Sequence, residues 1–104
     1  MQIVSIDLFK VPEESKKQFL EESHKVQDII KSVPGFVEGY TYKIESGDSD
    51  YNFVTSVTWQ NEEAFAAAGK AVWEAFQKQN FNPQEVFTKL NVVRIRSEYT
   101  KTPY

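Results

Sequence analysis

The chain has 104 residues and a formal net charge of −3, and 40% of its residues are hydrophobic. These values are typical of one globular domain spanning residues 1–104. No basic run is longer than Lys16-Lys17, so we expect no nucleic-acid partner, because phosphate binding requires concentrated positive charge. The absence of cysteine excludes thiol nucleophiles, disulfides and sulfur-ligated metals.

The N-terminal residues bear on localisation. They carry the acidic Asp7 inside an apolar run and lack the charged segment that begins a signal peptide. No apolar stretch approaches the roughly 20 residues of a membrane span. We therefore expect a cytoplasmic protein without a membrane partner.

The first half of the chain predicts a strand, a helix and a second strand. Residues 3–9 alternate, with Val4, Ile6 and Leu8 forming one wholly apolar face. Residues 12–32 repeat apolar side chains at helical spacing. Pro34-Gly35 ends that helix, because proline cannot continue the hydrogen-bond ladder and glycine accepts the left-handed conformation. Residues 36–45 alternate again and predict the second strand.

The second half predicts a hairpin partner, a second helix and a final strand. Residues 51–59 are rich in β-forming side chains and follow a polar turn, which favours a β-hairpin. Asn61 is a good N-cap for a helix over residues 62–79, and Asn82-Pro83 begins a short third helix. Residues 91–99 alternate as the last strand.

This order of elements, β-α-β-β-α-β, predicts an α+β fold of the ferredoxin-like split βαβ type with a four-stranded antiparallel sheet. Two helices can cover only one face of such a sheet, yet several strands carry large apolar side chains on both faces. An uncovered apolar face is typical of an interface. We therefore predict a homodimer whose sheets pack face to face.

Three motifs resemble the antibiotic biosynthesis monooxygenase (ABM) domain, and the resemblance extends over nearly the whole chain. They are Val33-Pro34-Gly35-Phe36, the junction Trp59-Gln60-Asn61-Glu62-Glu63-Ala64-Phe65, and Phe81-Asn82-Pro83 with the closing segment 94–99. The resemblance implies a dimeric α+β barrel with a ligand cavity between helices and sheet in each subunit. Some members of the family oxidise aromatic polyketides with dioxygen and no cofactor, and others degrade heme.

The residues at the positions that heme-degrading members use for heme disfavour heme chemistry in this chain. Heme-degrading members use a histidine of the second helix as iron ligand and an asparagine of the first strand. Here the second helix has no histidine, and the first strand has Asp7 instead. The single histidine, His24, falls on the charged face of the first helix, where a solvated side chain is the ordinary interpretation. We predict neither a metal site nor a cofactor.

Asp7 is the candidate catalytic residue. It lies in mid-strand between Ile6 and Leu8, and partial desolvation there favours the proton acceptance that a general base needs. The alternative is a structural ion pair, for which Arg94 and Arg96 on the last strand are the natural partners.

Four further residues are candidates for substrate binding: Tyr40, Tyr42, Trp73 and Arg94. The tyrosines could donate hydrogen bonds to substrate oxygens, the indole could form an aromatic wall, and the guanidinium could bind an anionic group. The alternative places the tyrosines in the dimer interface, where this residue type is enriched.

The hypothesis that follows is a cofactor-independent monooxygenase acting on a small aromatic substrate of the quinol or anthrone kind. The alternative is a non-catalytic protein that binds or senses a small molecule on the same dimeric scaffold, because a fold does not determine a function. An isomerase or lyase of the wider dimeric barrel group is a third interpretation.

Overall fold

A computed structural model describes residues 1–103. Its strands are β1 (Ile3–Lys10), β2 (Phe36–Lys43), β3 (Phe53–Trp59) and β4 (Val93–Thr100). Its helices are α1 (Lys16–Ile30), α2 (Glu62–Lys78) and α3 (Pro83–Lys89), and a 3-10 turn at Glu13–Ser15 precedes the first of them. Within this described part, no helix is long and apolar enough to cross a bilayer.

The four strands form one antiparallel sheet in the order β2-β3-β1-β4. This arrangement confirms the predicted ferredoxin-like α+β fold. In the register of the two central pairings, Asp7 of β1 lies directly between Thr55 of β3 and Arg96 of β4. The topology therefore brings a carboxylate, a hydroxyl and a guanidinium into one row across the sheet.

Local capping explains where the helices begin. The side chain of Asn61 accepts a hydrogen bond from the amide of Ala64 at 2.8 Å, and Asn82 accepts one from Glu85 at 3.2 Å. Each bond satisfies an amide that a helix start leaves without a partner. Both predicted caps are confirmed.

The first helix begins later than the sequence predicts. The amide of Ser15 bonds to the carbonyl of Pro12 at 2.9 Å, which closes a 3-10 turn and not an α-helical turn. The Ser15 hydroxyl then donates to the carbonyl of Leu90 at 2.9 Å. This bond attaches the start of α1 to the end of α3.

The hairpin strands are shorter than predicted, and the side chain of Asn52, just before β3, bonds to the segment after β1. The side-chain amide of Asn52 donates to the carbonyl of Val11 and accepts from the amide of the same residue, both at 2.9 Å. The predicted strand over residues 51–59 begins at Phe53, and Asn52 anchors the turn to the segment after β1.

The three helices pack on one face of the sheet and bury two apolar clusters there. The first cluster comprises Phe9, Val11, Phe19 and Phe53. The second comprises Val33, Val57, Trp59 and Ala68. Between the two clusters along β1, β3 and α1 lie three buried polar side chains: Asp7, Thr55 and Ser23. The interior thus has a polar layer between two apolar ones.

The opposite face of the sheet carries no helix, and we call it the outer sheet face. Its large side chains are about half exposed, with Tyr40 at 51%, Tyr42 at 53%, Val93 at 52%, Ile95 at 45% and Tyr99 at 49%. Large exposed apolar patches are often contact surfaces in proteins of known assembly.

Candidate functional site

A cavity of about 170 Å³ lies between the sheet and the three helices, at the level of the polar layer. We call it the inner cavity. Its aromatic wall comes from Phe9, Phe76 and Phe87, and its polar wall from Ser5, Asp7, Ser23, Gln27, Thr55, Arg94 and Arg96. An apolar enclosure with a few converging polar groups is the usual form of a small-molecule site.

A wider cleft of about 350 Å³ adjoins the inner cavity, between α2 and β4, and we call it the outer cleft. The two spaces share lining residues on β1, β3, β4 and both long helices: Ser5, Ile30, Val57, Val72 and Arg96. The helices leave the inner side of β4 partly open, since Arg94, Arg96 and Glu98 are all exposed. The outer cleft therefore adjoins the inner cavity and opens to solvent along β4.

Asp7 and Arg96 form a side-chain ion pair in the wall of the cavity. The guanidinium Nε donates to Oδ1 at 2.7 Å and Nη2 donates to Oδ2 at 3.0 Å, a bidentate arrangement. The carboxylate side chain is 10% exposed and the arginine side chain 50%. This hydrogen bond raises the pKa of Arg96 above its ordinary value, so the guanidinium stays charged.

Arg94 lines the same cavity without a partner of this kind. In the register it stands opposite Phe9, two residues along β4 from Arg96 and on the same face of the strand. Within residues 1–103 its guanidinium makes no ion pair or side-chain hydrogen bond. It is therefore a cation available to a ligand at the rim of the cavity.

The predicted site residues are divided between two faces of the sheet. Asp7 and Arg94 both line the inner cavity. Tyr40 and Tyr42 lie on the outer sheet face, because their register partners are Ser56 and Val54, which point away from the helices. The Tyr40 hydroxyl donates to Glu38 at 3.1 Å, and this hydrogen bond raises the pKa of Tyr40.

Trp73 lies away from the inner cavity as well. Its side chain is 54% exposed and lines a shallow surface depression together with Gln77, Phe81 and Asn82. The cavity residue at this level of α2 is its neighbour Val72, because adjacent helical positions point about 100° apart.

Two buried hydroxyls of the cavity were not singled out by the sequence. Ser23 is 3% exposed and Thr55 is 9% exposed, and both line the inner cavity. Each interrupts an otherwise apolar periodic face, since Ser23 follows Phe19 on the helical stripe and Thr55 lies between Phe53 and Val57. A polar residue at a core position was the available signal, because buried polar groups normally have partners.

Metal-ligating residues are not grouped in the described chain. No three His, Asp or Glu side chains of residues 1–103 lie close enough together to hold a metal ion. His24 is exposed on α1, which confirms its predicted surface position.

Neither a protein-family model nor a curated protein matches the sequence, whereas solved structures do match the fold. SnoaB, a cofactor-independent oxygenase from Streptomyces nogalater, has a TM-score of 0.71 at 15% identity over 99% of this chain and 95% of its own. A proposed antibiotic biosynthesis monooxygenase from Deinococcus radiodurans also has a TM-score of 0.71 at 15% identity, over 100% and 95%. A heme-degrading protein from Mycobacterium tuberculosis has a TM-score of 0.59 at 20% identity, over 66% and 78%. At these identities the likeness establishes a shared fold.

Proposed function

We propose that this chain, which has the fold of antibiotic biosynthesis monooxygenases, is a cofactor-independent monooxygenase of a small aromatic substrate. The observation that carries the proposal is the nearly buried carboxyl group of Asp7, held by Arg96 in the wall of a largely apolar cavity. Such a cavity favours an aromatic ligand, and a carboxylate inside it can accept a proton from that ligand. SnoaB, which has the same fold, is a cofactor-independent oxygenase.

The proposed chemistry begins with proton transfer from an acidic C–H or phenol of the substrate to Asp7. The resulting anion is stabilised by the adjacent Arg96 guanidinium, whose charge persists at all relevant pH values. The anionic carbon adds dioxygen to form a hydroperoxide, and loss of water leaves a carbonyl group. For an anthrone-like CH₂ carbon, one oxygen atom enters the product and the other leaves as water, and the substrate supplies all four electrons.

Arg94 has a binding role in this proposal. Its unpaired guanidinium at the rim suits an anionic substituent of the substrate, such as a carboxylate or a second phenolate. Fixing that group at the rim would orient the rest of the molecule toward Asp7.

We further propose that the outer sheet face is the dimer interface. It exposes five large apolar or aromatic side chains on the two edge strands, β2 and β4, and a second copy offers the same surface in return. In this arrangement Tyr40 and Tyr42 belong to the interface, and the inner cavity of each subunit stays on the helix side.

Dioxygen consumption tests the proposed function. With a panel of quinols and anthrones, we expect the wild-type protein to consume oxygen and Asp7→Asn to lose at least about 100-fold in rate, the usual contribution of a general base. Asp28→Asn is the matched control, because it makes the same change on an exposed helical face.

Three outcomes discriminate between the interpretations. Equal loss of rate in Asp28→Asn and Asp7→Asn would remove Asp7 from the mechanism. Tight binding of panel compounds without oxygen consumption would favour the sensing protein. Loss of oxidation in Trp73→Ala would place the substrate near the surface depression on α2 and contradict the inner cavity as the site.

A further inference from the structure

We propose that the inner cavity binds one aromatic ring that carries an oxygen substituent, such as a phenol hydroxyl. This oxygen would be held between the hydroxyls of Ser23 and Thr55. The inference rests on the proposed function, and it defines the substrate class further: a single ring enters the cavity, and the rest of the molecule extends into the outer cleft.

The first support is that both hydroxyls belong to largely buried residues and have no hydrogen-bond partner in the described chain. Ser23 is 3% exposed and Thr55 is 9% exposed, and neither side chain makes a hydrogen bond within residues 1–103. In the same part of the chain, no fully occluded side-chain nitrogen or oxygen lacks a partner. The two hydroxyl oxygens must therefore be accessible to a water-sized probe, and the open space that both side chains line is the inner cavity.

The second support is the position of the pair on different elements. Ser23 lies on α1, Thr55 lies on β3, and the register places Asp7 beside Thr55. Two donors or acceptors on opposite walls can hold one oxygen atom between them. Phe9 and Phe76 also line the cavity and offer apolar surface to the ring itself.

The third support is the size of the cavity. About 170 Å³ is available, and an apolar cavity of about 150 Å³ is known to hold one benzene molecule. Three fused rings do not fit in that volume. A larger substrate would therefore insert one terminal ring and leave the others in the outer cleft, whose volume is about 350 Å³.

A site built this way selects for the oxygen. An aromatic ring without one leaves two buried hydroxyls unsatisfied, and polar sites of this kind reject such analogues strongly. The oxygen of a phenol would form hydrogen bonds with both hydroxyls. It would also lie beside the row of Thr55, Asp7 and Arg96 across the sheet.

Ligand titration under anaerobic conditions tests the inference without turnover. Phenol and benzene are the probes, because they differ only by the oxygen, and binding is followed by chemical shifts of the protein. We expect phenol to bind at least about tenfold more tightly than benzene to the wild type. Thr55→Val, which replaces the hydroxyl by a methyl group of similar size, should abolish that preference, as should Ser23→Ala.

Two further variants serve as controls. Thr55→Ser restores a hydroxyl and should keep the preference for phenol, which separates the hydrogen bond from packing. Thr58→Val makes the same change on the same strand, at a position buried on the other face of the sheet, and should leave both affinities unchanged.

An equal affinity of the wild type for phenol and benzene would overturn the inference, as would an undiminished preference in both Thr55→Val and Ser23→Ala. Oxygen-consumption results bear on a different claim. Phenol selectivity without any oxidation would contradict the proposed monooxygenase and leave this binding site intact. Oxidation of quinols by a wild-type protein that does not prefer phenol to benzene would support the monooxygenase and contradict this binding site.

Discussion

The Asp7–Arg96 pair joins a nearly buried carboxylate to a half-exposed guanidinium, with two hydrogen bonds at 2.7 and 3.0 Å. Removing the cation would leave a buried carboxylate without its partner, and removing both charges would leave no such defect. The main contribution of Arg96 to stability is thus that it compensates the carboxylate of Asp7, which the fold buries.

A double-mutant cycle should measure the interaction free energy between Asp7 and Arg96. We expect Arg96→Gln to lower the free energy of unfolding by about 1–2 kcal/mol, a value reduced from the fully buried case because solvent screens the exposed half of the arginine. The double variant Asp7→Asn with Arg96→Gln should lose less than the sum of the two single variants. Strict additivity in chemical denaturation would mean that the two side chains do not interact in solution.

The sequence predicted part of the site and left the other part undetermined for a physical reason. It predicted Asp7 in mid-strand and, as the alternative to catalysis, an ion pair with Arg94 or Arg96, because the last strand was expected to neighbour the first. It did not decide which face the helices cover, since β1 carries Ile3 and Phe9 on one side and Ile6 and Leu8 on the other. The placement of Tyr40, predicted as a substrate donor, depended on that choice.

The turn between α1 and β2 is constrained by both its backbone conformation and its packing. Gly35 has a φ of +89°, and a Cβ added there would lie 2.5 Å from the Cβ of Ala64 at the start of α2. Its carbonyl also accepts a hydrogen bond from the amide of Gln60 at 2.8 Å. The turn therefore fixes the end of one helix against the start of another.

Gly35→Ala is accordingly expected to destabilise the protein by about 2–4 kcal/mol, through a strained backbone and a steric overlap together. Gly47→Ala is the control, because its φ of +122° is strained as well but nothing lies within 4 Å of the added carbon. It should lose only about 1 kcal/mol. Thermal or urea unfolding of both variants would measure the difference, and equal losses would show that the contact with Ala64 contributes nothing.

Element boundaries were predictable where a local signal defines them. The caps at Asn61 and Asn82 are bonds within one turn of chain, and both were predicted correctly. The start of α1 and the start of β3 lie beside bonds to distant residues, from Ser15 to Leu90 and from Asn52 to Val11. Sequence periodicity contains no information about such long-range partners.

For the whole molecule, the motifs predicted the ABM fold, and solved structures of that fold confirm it. The homodimer stays a prediction, and the outer sheet face is where it should be tested. Covering about half-exposed side chains such as Ile95 and Tyr99 removes apolar surface from water, which favours association.

Ile95→Lys places a charge on the β4 side of that face and should convert a dimer into a monomer in sedimentation velocity at micromolar concentration, because a buried lysine without a partner is costly. Trp73→Lys makes a comparable change at a half-exposed aromatic residue on α2 and should leave the dimer intact. A wild-type protein that sediments as a monodisperse monomer would contradict the predicted assembly.

Alternate residues of β4 face the inner cavity and the outer sheet face. Arg94 and Arg96 point toward the cavity, and Val93 and Ile95 point outward from the same strand. A second subunit bound to the outer sheet face would restrain this edge strand. A ligand in the inner cavity would then remove less conformational entropy from β4 when it binds. Thermodynamic reciprocity then requires the converse, that a bound ligand strengthen the dimer by the same factor. Ligand affinity should consequently fall when the protein is diluted below the dissociation constant of its dimer.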